Sequence, residues 1–408
     1  MEKLSICVVG MGYIGLPTAA LLAKNGMAVI GCDVSVAVVE TINDGRIHIV
    51  EPDLDEVVRV AVASGLLKAA TKPAAADVFI ICVPTPFYSG EGIPRPNIDY
   101  VLAATKSIAP YLKANDLVIL ESTSPVGTTA QLAATLELEG VDISKLHIAY
   151  CPERVLPGRI MVELVENDRI VGGLTPEATD AVAKFYQKFV DGDVLKTTAA
   201  TAEMCKLAEN SYRDVNIAFA NELSMICAKA DIDIWEVIKL ANHHPRVNIL
   251  QPGTGVGGHC IAVDPWFIVA RDPETARLIK TARNVNDYKT VWVVEQILVA
   301  AEKLQSQLGR RPTIACLGLA FKPDIDDLRE SPALAVYSSL QGRGNPILAV
   351  EPNISGVSGI ELTEFEAAVI SADLICVLVN HRQFSNISLR CSESNKLLLN
   401  FCAPALAS

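Results

Sequence analysis

The first apolar run of the chain, Leu4-Ser5-Ile6-Cys7-Val8-Val9, is continuous rather than alternating, which predicts a parallel strand covered on both faces. It ends in Gly10-Met11-Gly12-Tyr13-Ile14-Gly15. An amphipathic stretch from Leu16 to Asn25 then predicts a helix, and a second apolar run, Ala28 to Cys32, ends in Asp33. Further strands are predicted at Asp77 to Val83, closed by Pro84-Thr85-Pro86, and at Leu117 to Leu120, closed by Glu121-Ser122-Thr123-Ser124-Pro125. One more, His147 to Tyr150, runs into Cys151-Pro152-Glu153-Arg154-Val155. From Thr201 to Ala228 there is no Gly or Pro, so one helix of about 40 Å is predicted, too long for one small domain. A second helix, Ile234 to Asn242, leads through the polar turn His243-His244-Pro245-Arg246-Val247-Asn248 to a glycine-rich loop, Gly255 to Trp266. A helical stretch from about Arg277 to Leu304 follows, and the pattern breaks at Leu308-Gly309-Arg310-Arg311-Pro312. A second α/β pattern then begins, with strands at Thr313 to Ala320, Pro346 to Val350 and Asp373 to Val379. It carries a charged loop, Phe321 to Pro332, and a helix, Ala333 to Leu340.

These elements predict an α/β protein of two Rossmann-like, doubly wound domains joined by a central helical region, with boundaries at 1–200, 201–308 and 309–408. A length of 408 residues suits two or three domains. The formal charge of −12 argues against nucleic acid or an anionic membrane as a partner, so an anionic ligand must be gripped locally. Eleven scattered cysteines with no C-x-x-C pair fit neither a disulfide framework nor a structural zinc site and point to a reducing cytoplasm. The start of the chain has too short an apolar run for a signal peptide. No stretch reaches the ~20 apolar residues of a membrane span.

The first strand, turn, helix and second strand form a complete dinucleotide unit. The glycines permit a tight turn and close approach of a pyrophosphate, and the helix N-terminus offers N–H groups to it. Asp33, eighteen residues after Gly15, can bind a ribose diol and repels a 2′-phosphate, so NAD is expected rather than NADP. Thr85 and Thr123, at strand ends, either line the nicotinamide side or cap turns. The loop Gly255-Val256-Gly257-Gly258-His259-Cys260 presents one thiol, with Asp264 four residues on, and Pro265 stiffens its exit. A cysteine in an intracellular protein is usually a small buried apolar residue, so the loop alone does not decide for catalysis. Lys206, Asn210 and Arg213 fall on one helix face, either as a solvated stripe or, as the polar turn and glycine loop downstream favour, facing a site. The adjacent histidines and His259-Cys260 lack metal-ligand spacing, so no metal is expected. Lys322 and Arg329 bring the local positive charge that a diphosphate requires to a half with no G-x-G-x-x-G of its own.

Together these motifs resemble the UDP-glucose/GDP-mannose dehydrogenase family of nucleotide-sugar 6-dehydrogenases, from Ile6 to about His381. Within it, the resemblance is strongest to the enzymes acting on UDP-N-acetyl-D-mannosamine. Ile47-His48-Ile49-Val50-Glu51-Pro52-Asp53-Leu54, Ala241 to Leu250 and Phe321-Lys322-Pro323 carry it. The resemblance implies a homodimer through the 201–228 helix, a C-terminal UDP-binding domain, and oxidation of the sugar C6 alcohol to a carboxylate. That reaction consumes two NAD, passes through a thioester on Cys260, and makes a precursor for cell-surface polysaccharide. An aldehyde yields no hydride until a nucleophile makes it tetrahedral, and a thiol does so while leaving a thioester that water can cleave. By resemblance Lys206 and Asn210 stabilise the alkoxide-like oxygen, Asp264 and Thr123 manage water, and Glu153 is the base for hydrolysis. Gly10, Gly12, Tyr13, Ile14, Gly15, Asp33, Thr85, Thr123 and Arg329 correspond to cofactor contacts. Arg154, Val155, Lys206, Asn210, Arg213, His244, Arg246, Gly257, Phe321 and Lys322 correspond to contacts with the sugar nucleotide.

Two positions depart from the family pattern. Pro157 stands where relatives often carry a second acid, which leaves hydrolysis to Glu153 and water, and Asn395 to Ser408 lacks the Asp-x-x-Gly turn expected after the last strand. Other readings are the same reaction on UDP-glucose or UDP-N-acetylglucosamine, a β-hydroxyacid dehydrogenase, which needs neither the cysteine nor a third domain, and a non-catalytic sugar-nucleotide sensor.

Overall fold

The computed structural model describes residues 4–402 except 89, 91, 259, 355 and 395, so His259 and much of the segment after Asn395 lie outside the described residues. The chain divides into two compact units, Met1–Glu209 and Asn210–Ser408.

The first unit contains β1 (Ser5–Val9), β2 (Ala28–Cys32), β3 (Leu67–Ala70), β4 (Val78–Ile81), β5 (Phe87–Tyr88), β6 (Arg95–Pro96), β7 (Leu117–Leu120), β8 (His147–Tyr150), β9 (Arg169–Gly173) and β10 (Val194–Thr198). Eight of these form one sheet in the order β10-β9-β8-β7-β4-β1-β2-β3, and β5 pairs with β6 in a small hairpin. All neighbours in the sheet run parallel except β8 and β9. β4, Val-Phe-Ile-Ile, is buried at every position, as a central strand with helices on both faces must be. The strand order reverses between β1 and β4, which makes the ends of these two strands the place where a doubly wound sheet takes its ligand. The strands expected here are present, with trimmed ends. β3, β9 and β10 were not foreseen, because Lys68 and Lys196 break the apolar pattern of β3 and β10, and the apolar run of β9 is only Ile170-Val171 between Arg169 and two glycines.

The helix Ala199–Lys229 is continuous over 31 residues, about 46 Å at the α-helical rise. The helix Arg277–Leu308 runs four residues beyond its expected end and stops at Gly309, whose φ of +68° supplies the left-handed cap. In the second unit β11 (Ile314–Leu317), β12 (Ile347–Val350), β13 (Leu374–Val377) and β14 (Leu397–Asn400) form an all-parallel sheet, ordered β12-β11-β13-β14. β14 supplies an edge strand where the sequence offered no turn signal. It is preceded by Lys396, whose ammonium donates to the carbonyls of Val369, Ile370 and Ala372 at the end of the helix Phe365–Ser371. Val293, Ile297 and Ala301 of the long second helix cover one face of this sheet, and Ala368, Val369 and Phe384 cover the other.

Candidate active site

In the first unit the dinucleotide turn is built by close approach. The Gly10 amide donates to the Cys32 carbonyl (2.8 Å), and a Cβ on Gly15 would lie 1.8 Å from the Gly10 carbonyl oxygen, so only glycine lets the helix Gly15–Lys24 start so close to the strand. A Cβ on Gly12 would meet nothing within 4 Å, which leaves the loop face open to a pyrophosphate, and Tyr13 and Ile14 continue it half-buried. Asp33, at the end of β2, accepts from the Met11 amide (3.0 Å) and the Ser35 amide (2.9 Å) and so is tied to the same turn. The open face, the helix N-terminus and the acid together fit NAD. Thr85 and Thr123 are brought together, the Thr85 hydroxyl donating to the Thr123 carbonyl at 2.6 Å. Beneath them Glu121 is fully buried, paired with Arg169 at 3.2 Å and accepting from the Cys82 thiol, and burial pushes its carboxyl up against the pull of Arg169.

Lys206, on the long helix, donates to the Glu153 carbonyl at 2.7 Å and pairs with its carboxylate at 3.2 Å, and both side chains are buried. The other Glu153 oxygen accepts from the Val155 amide at 2.8 Å. A lysine and a carboxylate are thus held together with little water around them. Arg154 turns its guanidinium to Glu209 (2.9 Å) and to the Asp168 carbonyl (3.0 Å).

Two carboxylates missed in the sequence hold this half in place. Glu203, fully buried, accepts from the Gly127 amide (2.6 Å), the Thr129 amide (2.8 Å) and the Thr129 hydroxyl (2.7 Å), and so caps a helix that begins without a side-chain cap of its own. Glu51 accepts from the Gly158 and Ile160 amides at 2.8 and 2.7 Å, capping the helix Ile160–Glu166 beyond the Glu153 loop. Glu51 stood out in the sequence only within the segment that carries the family resemblance, and the two acceptors lie 74 and 109 residues from the amides they cap.

In the second unit Asn210 donates to Asp264 at 2.5 Å, and both are buried. The Cys260 carbonyl accepts the amides of Val263 (3.0 Å) and Asp264 (2.8 Å), so the thiol-bearing residue sits at the turn that opens the helix Asp264–Arg271. Of the eleven cysteines seven are buried and three half-buried, whereas Cys260 is exposed. Burial pushes the Cys151 and Cys316 thiols up to about 12, which suppresses their thiolates.

The glycines of the nucleophile loop serve a purpose the sequence did not reveal. A Cβ on Gly258, at φ +83°, would lie 2.8 Å from the Phe321 ring, and one on Gly257 would lie 2.5 Å from the Glu330 carbonyl oxygen and 2.8 Å from Phe321 Cβ. The open backbone admits the chain's own Phe321-to-Pro332 loop. Upstream, the Gly253 amide donates to Asn221 (2.9 Å), which donates to Asn286 (2.9 Å), which donates to Asp214 (2.8 Å), itself paired with Arg283 at 2.7 Å. This buried network ties the root of the loop to both long helices.

Arg213 emerges at the surface, one turn beyond the buried Asn210. His244 and Arg246 are also exposed, on a turn clasped by Asn242, which accepts from the Ile249 amide (2.7 Å) and donates to the Ile249 carbonyl (3.0 Å). Arg329 holds Asp327 through Nη2 at 2.7 Å, and Lys322 follows Phe321 half-buried. Among the described residues no group of three or more His, Cys, Asp or Glu is placed to hold a metal, and no helix is long and apolar enough to cross a membrane.

Three family models match in succession: the UDP-glucose/GDP-mannose dehydrogenase family NAD binding domain at residues 4–190, its central domain at 200–288 and its UDP binding domain at 315–399. The chain is 54% identical to a UDP-N-acetyl-D-mannosamine dehydrogenase of Yersinia pestis, over 94% of this chain and 95% of that protein. It is 53% identical to an NDP-N-acetyl-D-galactosaminuronic acid dehydrogenase of Ralstonia nicotianae, over 94% of this chain and 92% of that one. A solved UDP-D-ManNAc dehydrogenase from Pyrococcus horikoshii superposes with a TM-score of 0.90 at 36% identity, covering 99% of this chain and 97% of its own. The two Rossmann-type sheets, the thiol loop and these matches over nearly the whole length agree, and the chain belongs to the UDP-glucose/GDP-mannose dehydrogenase family as an NAD-dependent oxidoreductase.

Proposed function

We propose that the protein oxidises C6 of UDP-N-acetyl-D-mannosamine from alcohol to carboxylate, through a thioester on Cys260, in the cytoplasm. The observation that carries the reading is an exposed cysteine on a loop braced from both sides, in a chain 54% identical to a relative of that activity. NAD, held by the Gly10-to-Gly15 turn and Asp33, supplies the hydride acceptor for each of the two oxidations. Lys206 and Asn210, one turn apart on the long helix, are assigned to the developing C6 alkoxide. After the first oxidation the Cys260 sulfur adds to the aldehyde carbon and the oxygen takes a proton. Loss of the C6 hydride to the second NAD and of the adduct's hydroxyl proton to water leaves the thioester. Water, deprotonated by Glu153 and ordered by Asp264 and Thr123, then releases the carboxylate and returns the thiol. The Lys206–Glu153 pair supports this assignment, since it holds the proposed base beside a residue assigned to the reacting oxygen. Tyr13, Ile14, Thr85 and Arg329 are assigned to the cofactor, and Arg154, Val155, Arg213, His244, Arg246, Gly257, Phe321 and Lys322 to the sugar nucleotide.

The proposed division of labour is 1–200 for NAD, 201–308 for the nucleophile and for pairing of subunits, and 309–408 for UDP. Pairing is assigned to the long helix because Tyr212, Phe219 and Ile226, seven residues apart on one face, are exposed by 71%, 56% and 56%. A second copy of the same chain is the partner proposed for that stripe. The cytoplasmic assignment rests on the scattered cysteines, and a role in making cell-surface polysaccharide precursors follows the family resemblance.

The substrate assignment rests on the His243-to-Asn248 turn, whose His244 and Arg246 can donate to an acetamido carbonyl. The Ralstonia relative favours a second reading, the galacto isomer of the same class. The test is NADH formation by the purified chain on four UDP-sugars. UDP-N-acetylmannosamine should exceed UDP-glucose by roughly 10⁴ in kcat/KM, because a pocket built to pair a polar substituent rejects an analogue lacking it. It should exceed the gluco epimer and the galacto isomer of the N-acetyl sugar by at least about tenfold. A preference for any of the other three overturns the substrate assignment and leaves the 6-dehydrogenase reaction standing.

A further inference from the structure

The second sheet repeats the geometry of the dinucleotide turn with its acid put to another use. In the first unit Gly10 follows β1 and donates to the last residue of β2, and Asp33 after β2 accepts from the Met11 and Ser35 amides. In the second unit Gly318 follows β11 and donates to the last residue of β12 at 2.8 Å, and Glu351 after β12 accepts from the Leu319 amide (2.7 Å) and the Asn353 amide (3.0 Å). The acids occupy equivalent places. Asp33 is half-buried, whereas Glu351 is buried and accepts further from the Ala320 amide (2.9 Å) and from His381 Nε2 (3.0 Å).

His381 is itself fully buried, and its other nitrogen accepts from the Asp324 amide (2.9 Å). The Asn353 side-chain amide also lies 2.9 Å from Nδ1, so the ring bridges Glu351, Asp324 and Asn353. Although burial disfavours its charge, the His381 contact and the amides hold the Glu351 carboxyl below its usual range. Leu319, Ala320 and Asp324 flank Phe321 and Lys322 on one loop, and Phe321 packs on Gly257 and Gly258 just ahead of Cys260. The Gly258 amide donates to the Arg329 carbonyl at 3.1 Å, closing the contact from the other end of the loop.

We infer that Glu351 and His381 are positioning residues: by clamping residues 319–324 they set Lys322 for the sugar nucleotide and seat Phe321 against the nucleophile loop. The inference rests on the reading of Lys322 and Phe321 as substrate-holding residues. It is tested by steady-state NADH formation with the full chain, comparing H381F, which removes the ring's hydrogen bonds to Glu351, Asp324 and Asn353, with H381Q, which keeps a donor and an acceptor. H381F should raise the KM for UDP-N-acetylmannosamine about tenfold or more while the KM for NAD stays within about twofold, and H381Q should recover most of the loss. A sugar KM within about twofold in H381F, or a parallel rise for NAD that H381Q does not repair, overturns the inference. Should H381F fail to fold, R382A removes an exposed clasp on Asp324 (2.9 Å) and should raise the sugar KM about threefold, and no change there overturns it equally. K322A, run alongside, separates the two layers of the argument. An unchanged sugar KM in K322A removes the reading of this loop and the inference with it. A raised one in K322A with normal H381F kinetics overturns the inference alone.

Discussion

Cys260→Ser should fall by on the order of 10³ or more in steady turnover, measured as NADH released, while folding and binding of NAD are retained. The main-chain bonds that open the following helix run to the Cys260 carbonyl, which serine keeps, so the substitution changes one atom and not the loop. Sulfur is required at the second oxidation. A thiol of ordinary pKa is a few per cent ionised at neutral pH and is intrinsically nucleophilic, whereas a serine hydroxyl needs a base to act at all. The ester that serine could form would also hydrolyse more slowly than a thioester. Release of two NADH per sugar at a near-normal rate by this variant contradicts the covalent mechanism.

Lys206→Ala should lose 10² to 10³ in kcat, about 3 to 4 kcal/mol, the typical cost of removing one preorganised partner from a developing oxyanion. The substitution also leaves Glu153 buried without its cation, and breaking such a pair costs about 3 to 5 kcal/mol of stability. The two effects separate in the double variant with Glu153→Gln, which removes the orphaned charge. Stability should largely return there, while kcat, which in that variant also lacks the Glu153 base, is read in Lys206→Ala alone. A loss of tenfold or less in kcat in Lys206→Ala makes Lys206 a structural partner of Glu153 only.

What could be read from the residues was what short-range pattern encodes. β1, the glycine turn, β2 and Asp33 follow one another within thirty-odd residues, each with its own signal, and the long helix announces itself by the absence of Gly and Pro. Cys260 stood out through its loop, and the helix spacing of Lys206 and Asn210 agreed with their burial, although Arg213 on the same face reached solvent. Edge strands were invisible because a half-exposed strand such as Val194-Leu195-Lys196-Thr197-Thr198 carries polar residues and no clean period. The supports of the site were invisible for a different reason. Glu51, Glu203, Glu351 and His381 act on backbone amides or on one another across 30 to 109 residues, and nothing in the neighbourhood of each in sequence marks its partner. Gly257 and Gly258 report in the same way that something comes close, without saying that Phe321 is one of the groups that does.

The covalent intermediate on Cys260 is the centre of the account, and the most direct measurement is to quench the wild-type enzyme in acid during turnover of UDP-N-acetylmannosamine and NAD, then weigh its peptides. A sugar-acyl adduct is expected on the peptide that contains Cys260, absent without NAD and absent in Cys260→Ala. Full conversion to the carboxylate with no adduct on that peptide at any quench time contradicts it.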